Sequence, residues 1–247
     1  MQRYFRVTHT VRYDECDGYG FLTPAAFVRY MQDIAARDVA DAQLTGDGFW
    51  VVKRTVISFL TPIPMHTTLE LTTYGMGLSR ITAQRGYEAR IAGGDQEQPL
   101  IKAHSLWVYV DARGRPMRMP ERTAEIWMPD AQLKVQPDAP LPAFPDTAPE
   151  TLVTHIRFSE TDLMKHLNNA AAVELLDNAV WTVYANMAIT PDTALFTPLA
   201  YDIEYADSPR FGEQIEVQSW FDPFPAEDQE FTRFQRILRG EKLVLRA

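Results

Sequence analysis

Residues 12–28, RYDECDGYGFLTPAAFV, lie without a gap over residues 157–173, RFSETDLMKHLNNAAAV. In that register Arg12 meets Arg157, Glu15 meets Glu160 and Asp17 meets Asp162, while Tyr13 faces the conservative Phe158. Leu22 and Val28 meet Leu167 and Val173, and Ala25 and Ala26 meet Ala170 and Ala171. Stretches 57–74 and 203–220 repeat at an offset one residue larger, pairing Ile57 with Ile203, Glu70 with Glu216 and Tyr74 with Trp220. Two separate blocks at almost one offset mark an internal duplication, so the fold must be one that fits twice into 247 residues.

Each copy begins with a run that alternates apolar and polar residues, VTHTVRY or LVTHIRF, and so predicts a strand. A loop and a helix follow. In the first copy Thr23 is the expected N-cap with Pro24 at the first helical position, and Phe27, Met31, Ile34 and Ala35 recur on one face. In the second, Asn168 or Asn169 can cap, and Val173, Leu176, Ala179, Val180 and Val183 make the matching face. Runs rich in Val, Ile, Thr and aromatic residues then predict several strands per copy, of which the last, LVLRA, is short beside its counterpart. A helix with one apolar stripe beside antiparallel strands has to bury that stripe on the sheet. The expected fold class is therefore α+β, with a long helix packed on an antiparallel β-sheet in each of two domains, 1–118 and 151–247. The Pro-rich stretch 119–150 between them predicts an extended linker with no continuous helix, pinned at Trp127, Leu133 and Phe144.

Hydrophobic residues at 46% and charged residues at 23% are ordinary for a globular chain. A formal net charge of −9 argues against nucleic-acid binding, which needs a field of Lys and Arg. No apolar run approaches the roughly 20 residues that span a bilayer, and the opening MQRYFRVTHTVRYDE lacks the apolar core of a signal peptide. The single cysteine, Cys16, excludes an internal disulfide and a cysteine metal cluster. A cytoplasmic location without a membrane partner is expected. His9, His66, His104 and His155 have no metal-ligand spacing and read as structural.

Polar chemistry concentrates in the second copy, between Asp162 and Asn169, where a carboxylate, an imidazole and two carboxamides stand at the start of a helix. Such a terminus offers free backbone N–H groups and the positive end of a dipole, which can polarise a carbonyl and hold an oxyanion. A nearby Asp or His can activate water, and Asp can attack directly. The same residues also suit a plain capped helix. Where the second copy has His166, Asn168 and Asn169, the first has Phe21, Thr23 and Pro24, and Pro24 has no N–H to give. The difference points to one active half and one supporting half, with Asp17 structural and Cys16, opposite Thr161, a loop or core cysteine.

The pattern D-x-x-x-H-L-N-N at 162–169 is joined by EYADSPRFGEQIEV at 204–217, RYDECDGYGFLTPAAFVRYMQDIAA at 12–36 and GDGFWVVKRTVISF at 46–59. Taken in order, these segments resemble the acyl-acyl carrier protein (acyl-ACP) thioesterase family of plants and bacteria over nearly the whole chain. The resemblance implies a tandem pair of hotdog domains and hydrolysis of the thioester of fatty acyl-ACP, releasing free fatty acid and terminating fatty acid synthesis. It implies no metal or organic cofactor. The implied partner is acyl carrier protein bearing an acyl-phosphopantetheine, and a fused pair implies a monomer or a homodimer. The family's catalytic Asp and His match Asp162 and His166. Its catalytic Asn falls on Met164, a Glu that activates water in plant members falls on Ser208, and a neighbouring cysteine falls on Pro209.

Two arrangements would fill the vacant roles. The segment also resembles simpler single-domain hotdog thioesterases such as the 4-hydroxybenzoyl-CoA enzyme, with Asp162 as base or nucleophile and the Asn169 N–H on the thioester carbonyl. Alternatively, Asp207 or Glu204 supplies the carboxylate from the facing strand. Met31, Tyr30, Trp50 and Phe59 are candidates to line the apolar tunnel that the resemblance implies between helix and sheet of the first copy, although core packing explains them as well. Arg113, Arg115, Arg118 and Arg122 form the densest basic patch, and would either dock an acidic carrier protein or its arm's phosphate or mark a solvated turn. An acyl-CoA substrate shares the pantetheine arm, and a non-catalytic acyl-thioester binding protein would also suit Met164 and Ser208.

Overall fold

The computed structural model describes residues 2–95, 97–128, 134–225 and 229–247. The chain divides into two compact units, Met1–Ala139 with Thr197–Asp202, and Pro140–Phe196 with Ile203–Ala247. The first contains β1 (Tyr4–Thr10), α1 (Pro24–Asp41), β2 (Phe49–Phe59), β3 (Thr68–Leu78), β4 (Thr82–Ile91), β5 (Ile101–Val110) and α2 (Arg122–Trp127). Its strands lie in the order β1-β3-β4-β5-β2, each pair antiparallel. In the second part of the chain follow β6 (Glu150–His155), α3 (Asn169–Asn186), β7 (Ala200–Tyr205), β8 (Gln214–Asp222), β9 (Thr232–Arg239) and β10 (Lys242–Arg246). Here the order is β6-β8-β9-β10-β7, the same path drawn again.

The two long helices begin at aligned residues and both run for 18 residues. Thr23 caps the first through its hydroxyl, which accepts the Ala26 N–H at 3.2 Å, and Pro24 takes the first helical position, where a missing N–H costs nothing. The apolar stripe of α1 is buried at Phe27, Met31, Ile34 and Ala35 and packs on β3 and β1. Burial of each such large side chain contributes about 1.5–3 kcal/mol. The equivalent stripe of α3, Val173, Leu176, Ala179 and Val180, is buried against β8 and β6, while Val183 is only partly covered. Strand interiors supply the other half of each core, with Ile57, Leu69 and Ile101 fully buried in the first unit and Ile215, Val217 and Ile237 in the second.

The Pro-rich stretch departs from its expected extended form at α2, which occupies the proline-free window after Pro120. This helix is held from outside itself. Trp127 is buried and its indole N–H donates to Asp38 Oδ2 at 2.6 Å. Asp38 belongs to α1 and is wholly buried; it also accepts from Arg3 Nε at 2.7 Å and from Arg85 Nη1 of β4 at 2.6 Å. One carboxylate thus ties the N-terminal segment, α1, β4 and the linker helix together. Phe144, further along the linker, stacks at 4.9 Å on Trp220, whereas Leu133 lies outside the described residues.

Removing one partner from a buried charge cluster strands the others, at a cost of about 3–5 kcal/mol. Asp38→Ala is therefore expected to lower unfolding stability by that order in urea titrations, with Asp38→Asn milder because it keeps an acceptor for Trp127. Equal small effects from both would show that the cluster does not anchor α2.

Candidate active site

Both copies build the approach to the helix in the same way. A 3-10 turn, Tyr13–Glu15 or Phe158–Glu160, leads into a loop that returns on itself. In the second copy the Asp162 N–H donates to the His166 carbonyl at 2.9 Å, and the Asn168 N–H donates to the Glu160 carbonyl at 2.8 Å. In the first copy Asp17 to Phe21 at 2.8 Å and Thr23 to Glu15 at 3.0 Å repeat these bonds. Asp162 Oδ1 accepts the N–H groups of Met164 at 2.9 Å and His166 at 3.4 Å. Asp17 Oδ1 accepts from Tyr19 at 2.9 Å and Phe21 at 3.0 Å. The aspartate in this motif therefore shapes the loop in both halves, whatever else it does in one of them.

The differences lie in what the loop presents. Asn168 is the N-cap of α3, its Oδ1 accepting the Ala170 N–H at 2.8 Å. Asn169 opens the helix, and neither its backbone N–H nor its carboxamide has a partner among the described residues. Pro24 fills that place in α1 and has no hydrogen to offer. His166 is half-buried and its main chain bridges to Arg210, yet its ring nitrogens bond to nothing among the described residues. The segment at 209–210 runs beside it, with the Leu167 N–H donating to the Pro209 carbonyl at 2.7 Å. The second copy thus joins an open backbone donor at the positive end of a helix to an unoccupied imidazole and the carboxylate of Asp162, a combination suited to polarising a carbonyl and moving a proton.

The first unit holds a cavity of about 340 Å³ with largely apolar walls. Gln32, Ala35 and Val39 of α1 form one side; Trp50, Trp107 and Trp127 close others. Of the four side chains expected to line a tunnel, only Trp50 borders this space. Met31 is core, Tyr30 donates its hydroxyl to Glu15 Oε2 at 2.6 Å, and Phe59 packs edge-on against Phe27 and Tyr201. The α1 residues that border the space, Gln32, Ala35, Ala36 and Val39, follow Met31 along the helix. Trp127 was legible only as a linker anchor.

Comparison with known proteins now bears on these features. The acyl-ACP thioesterase N-terminal domain matches residues 2–127. The chain belongs to the acyl-ACP thioesterase family. As a member it is a thioester hydrolase that acts on fatty acyl-ACP. No curated protein sequence matches it closely. Among solved structures, one from Lactobacillus plantarum assigned as an oleoyl thioesterase superposes with a TM-score of 0.83 at 19% identity, covering 99% of this chain and 94% of that one. The 12:0-ACP thioesterase from Umbellularia californica gives 0.79 at 17% identity over 98% and 91%. An acyl-ACP thioesterase from Bacteroides thetaiotaomicron gives 0.75 at 13% identity over 98% and 95%. At such identities the likeness is one of fold.

Within this acyl-ACP thioesterase the remaining candidates fare unequally. Met164 and Ser208 are exposed and bring no acid or base to the places they occupy. Glu204 lies on β7 opposite Arg246. Asp207 accepts from Arg239 Nη2 at 2.6 Å and pairs with Lys242 Nζ at 2.9 Å. Of the basic patch, Arg115 pairs with Asp111 at 3.0 Å and Arg118 with Glu121 at 3.1 Å, which leaves Arg113 and Arg122 without an ion pair among the described residues. Among the described residues no group of three or more His, Cys, Asp or Glu side chains is arranged to hold a metal ion, and no helix is long and apolar enough to cross a membrane.

Burial by itself would raise the pKa of Asp207, but bonds from Lys242 and the Ser208 N–H and the charge of Arg239 outweigh it and hold the carboxyl below its ordinary value. A carboxylate so stabilised is a weak base at neutral pH. Because the folded pKa is depressed, this group contributes stability above its unfolded value near 3.8 and loses it as the pH falls through the folded pKa. Asp207→Asn should therefore lower the denaturation midpoint at pH 7 and flatten its fall between pH 5 and pH 3, while leaving turnover at neutral pH within severalfold of wild type. A hundredfold loss of turnover would instead make Asp207 a catalytic group.

Proposed function

We propose that hydrolysis takes place at the start of α3, in the second of two tandem hotdog domains, and that the acyl chain occupies the cavity of the first unit. The observation that carries this reading is the free Asn169 N–H where the other copy has Pro24. The thioester carbonyl oxygen accepts that N–H, and His166, whose ring has no structural duty, takes a proton from water as the water attacks the carbonyl carbon. Negative charge gathers on the oxygen at the helix terminus. Collapse breaks the carbon–sulfur bond, and the proton held by His166 passes to the departing pantetheine sulfur. Free fatty acid and the carrier thiol result. Asp162 holds the loop that aims His166 and adds a negative charge beside the imidazolium that forms. A cytoplasmic enzyme, monomeric or homodimeric, fits this work, and its partner is the carrier protein with its acyl-phosphopantetheine.

The first copy supplies its own control. Asn168 has φ −66° and ψ 140°, an extended conformation that a following proline accepts, and Thr23 before Pro24 is nearly the same at −75° and 150°. Asn169→Pro should therefore fold normally while removing one donor, and kcat on acyl-ACP should fall about 10²–10³-fold. Asn169→Ala keeps the N–H and should stay within tenfold of wild type. His166→Ala should lose about 10²–10⁴-fold. If Asn169→Pro melts like wild type and hydrolyses as fast, the oxyanion does not sit on this helix.

Chain length tests the cavity separately. Val39 lines it and is only partly buried, so a larger side chain can grow into the space without displacing core. Val39→Trp is expected to move the preferred acyl chain to shorter lengths in an assay across a series of acyl-ACPs. An unchanged length profile would place the chain elsewhere.

A further inference from the structure

We infer that Lys165 and Arg210 form a docking point for the acidic carrier protein, gripping it at the phosphodiester of its pantetheine arm. This deepens the thioesterase reading and rests on it. The other six cations of the second unit are already held. Arg157 bonds to Glu160, Arg233 to Asp177, Arg239 and Lys242 to Asp207, Arg236 to the Gln218 carboxamide, and Arg246 to the main-chain carbonyls of Leu141 and Pro142. Lys165 and Arg210 are exposed, and neither side chain has a partner among the described residues. Both also stand next to His166 in the backbone. Lys165 immediately precedes His166, and Arg210 is the residue with which His166 forms its isolated bridge. These two residues, whose side chains are unpaired among the described residues, thus adjoin His166 along the backbone.

Comparison with the first copy shows that the fold does not require them. The same isolated bridge there joins Phe21 to Pro64, and the residue before Phe21 is Gly20. Gly20 has φ +82°, a left-handed conformation that glycine adopts freely. Lys165 holds φ +61° at the equivalent place, where a side chain with a Cβ is disfavoured. A glycine would suit the backbone better, and Pro64 shows that no cation is needed at the bridge. Both charges are therefore additions to the scaffold at one point of the second copy.

Their surroundings fit a protein surface carrying a phosphate rather than a small ion. Leu163 is fully exposed, Met164 is largely so, and Phe158 and Phe211 meet edge-on at 6.3 Å while remaining open to solvent. Two cations next in the chain to exposed apolar side chains offer charge to an anion and contact area to the protein that bears it. The chain as a whole has a net charge of −9, so its long-range field opposes an acidic carrier. Attraction has to be local, and this is where unpaired positive charge adjoins the reactive loop.

The test compares acyl-ACP with the N-acetylcysteamine thioester of the same acyl chain, which has neither phosphate nor carrier. The double variant Lys165→Gly with Arg210→Gln, which restores the glycine the backbone prefers, should raise KM for acyl-ACP tenfold or more beyond any change on the small thioester. That difference should shrink as salt is raised from 50 to 500 mM. Equal loss on both substrates, or no change on either, overturns the docking role. Calorimetric binding of the carrier bearing a non-hydrolysable acyl amide keeps the two claims apart. Weaker binding by the variant, with a wild type that binds but does not hydrolyse, would keep the docking point and discard the thioesterase reading. Full turnover by a variant that binds as well as wild type would do the reverse.

Discussion

A helix cannot satisfy its own first N–H groups, and both halves of this chain are organised around where those groups are sent. The strand, the 3-10 turn and the looped aspartate all lead to one place, the first turn of an 18-residue helix that carries its half of the core. Asp17 and Asp162 spend a carboxylate oxygen on holding the loop in the same curve. Thr23 and Asn168 each cap with a side-chain oxygen. Among the groups these bonds leave over, the halves differ at the first helical position. Proline abolishes the donor there in one half, and asparagine leaves it open in the other.

Much of this was legible in the sequence. The ungapped register between residues 12–28 and 157–173 gave the aligned helix starts, and the repeated path of strands follows from it. The contrast of Pro24 with Asn169 was visible because proline's missing hydrogen is a property of the residue alone. Three features were not visible. Helix α2 forms within a Pro-rich stretch because Trp127 reaches a carboxylate that stands 89 positions earlier in the chain, and no local propensity encodes that partner. The cavity in the first unit is bordered by Gln32, Ala35 and Val39 of α1 together with tryptophans from β2, β5 and α2, a grouping that only the folded chain brings together. The pairing of Asp207 with Arg239 and Lys242, from β9 and β10, depends on strand neighbours that local sequence does not name.

The distinction between structural and chemical duty matters most at Asp162 and His166. A residue that its counterpart duplicates bond for bond has a sufficient structural explanation, and Asp162 meets that description. His166 does not. Phe21 makes the same bridge with its main chain, so the fold asks nothing of an imidazole there. The polar side chain without a scaffold role is the stronger candidate for the proton.

The halves have also diverged at opposite ends of equivalent helices. In α1 the first turn is closed off by Pro24, and the polar addition comes near the far end, where Asp38 gathers Arg3, Arg85 and Trp127 beside an apolar space. Val183 stands at the matching position of α3, so the second copy has no such anchor. In α3 the polar additions crowd the first turn instead, with His166, Asn169 and the strained Lys165 where the first copy has Phe21, Pro24 and a relaxed Gly20. A buried carboxylate is tolerable only when every oxygen is engaged, and an oxyanion site works only when a donor is left unengaged. In this chain the fully engaged carboxylate stands in α1 and the open first-position donor in α3, each on its own copy of the same helix-and-sheet frame.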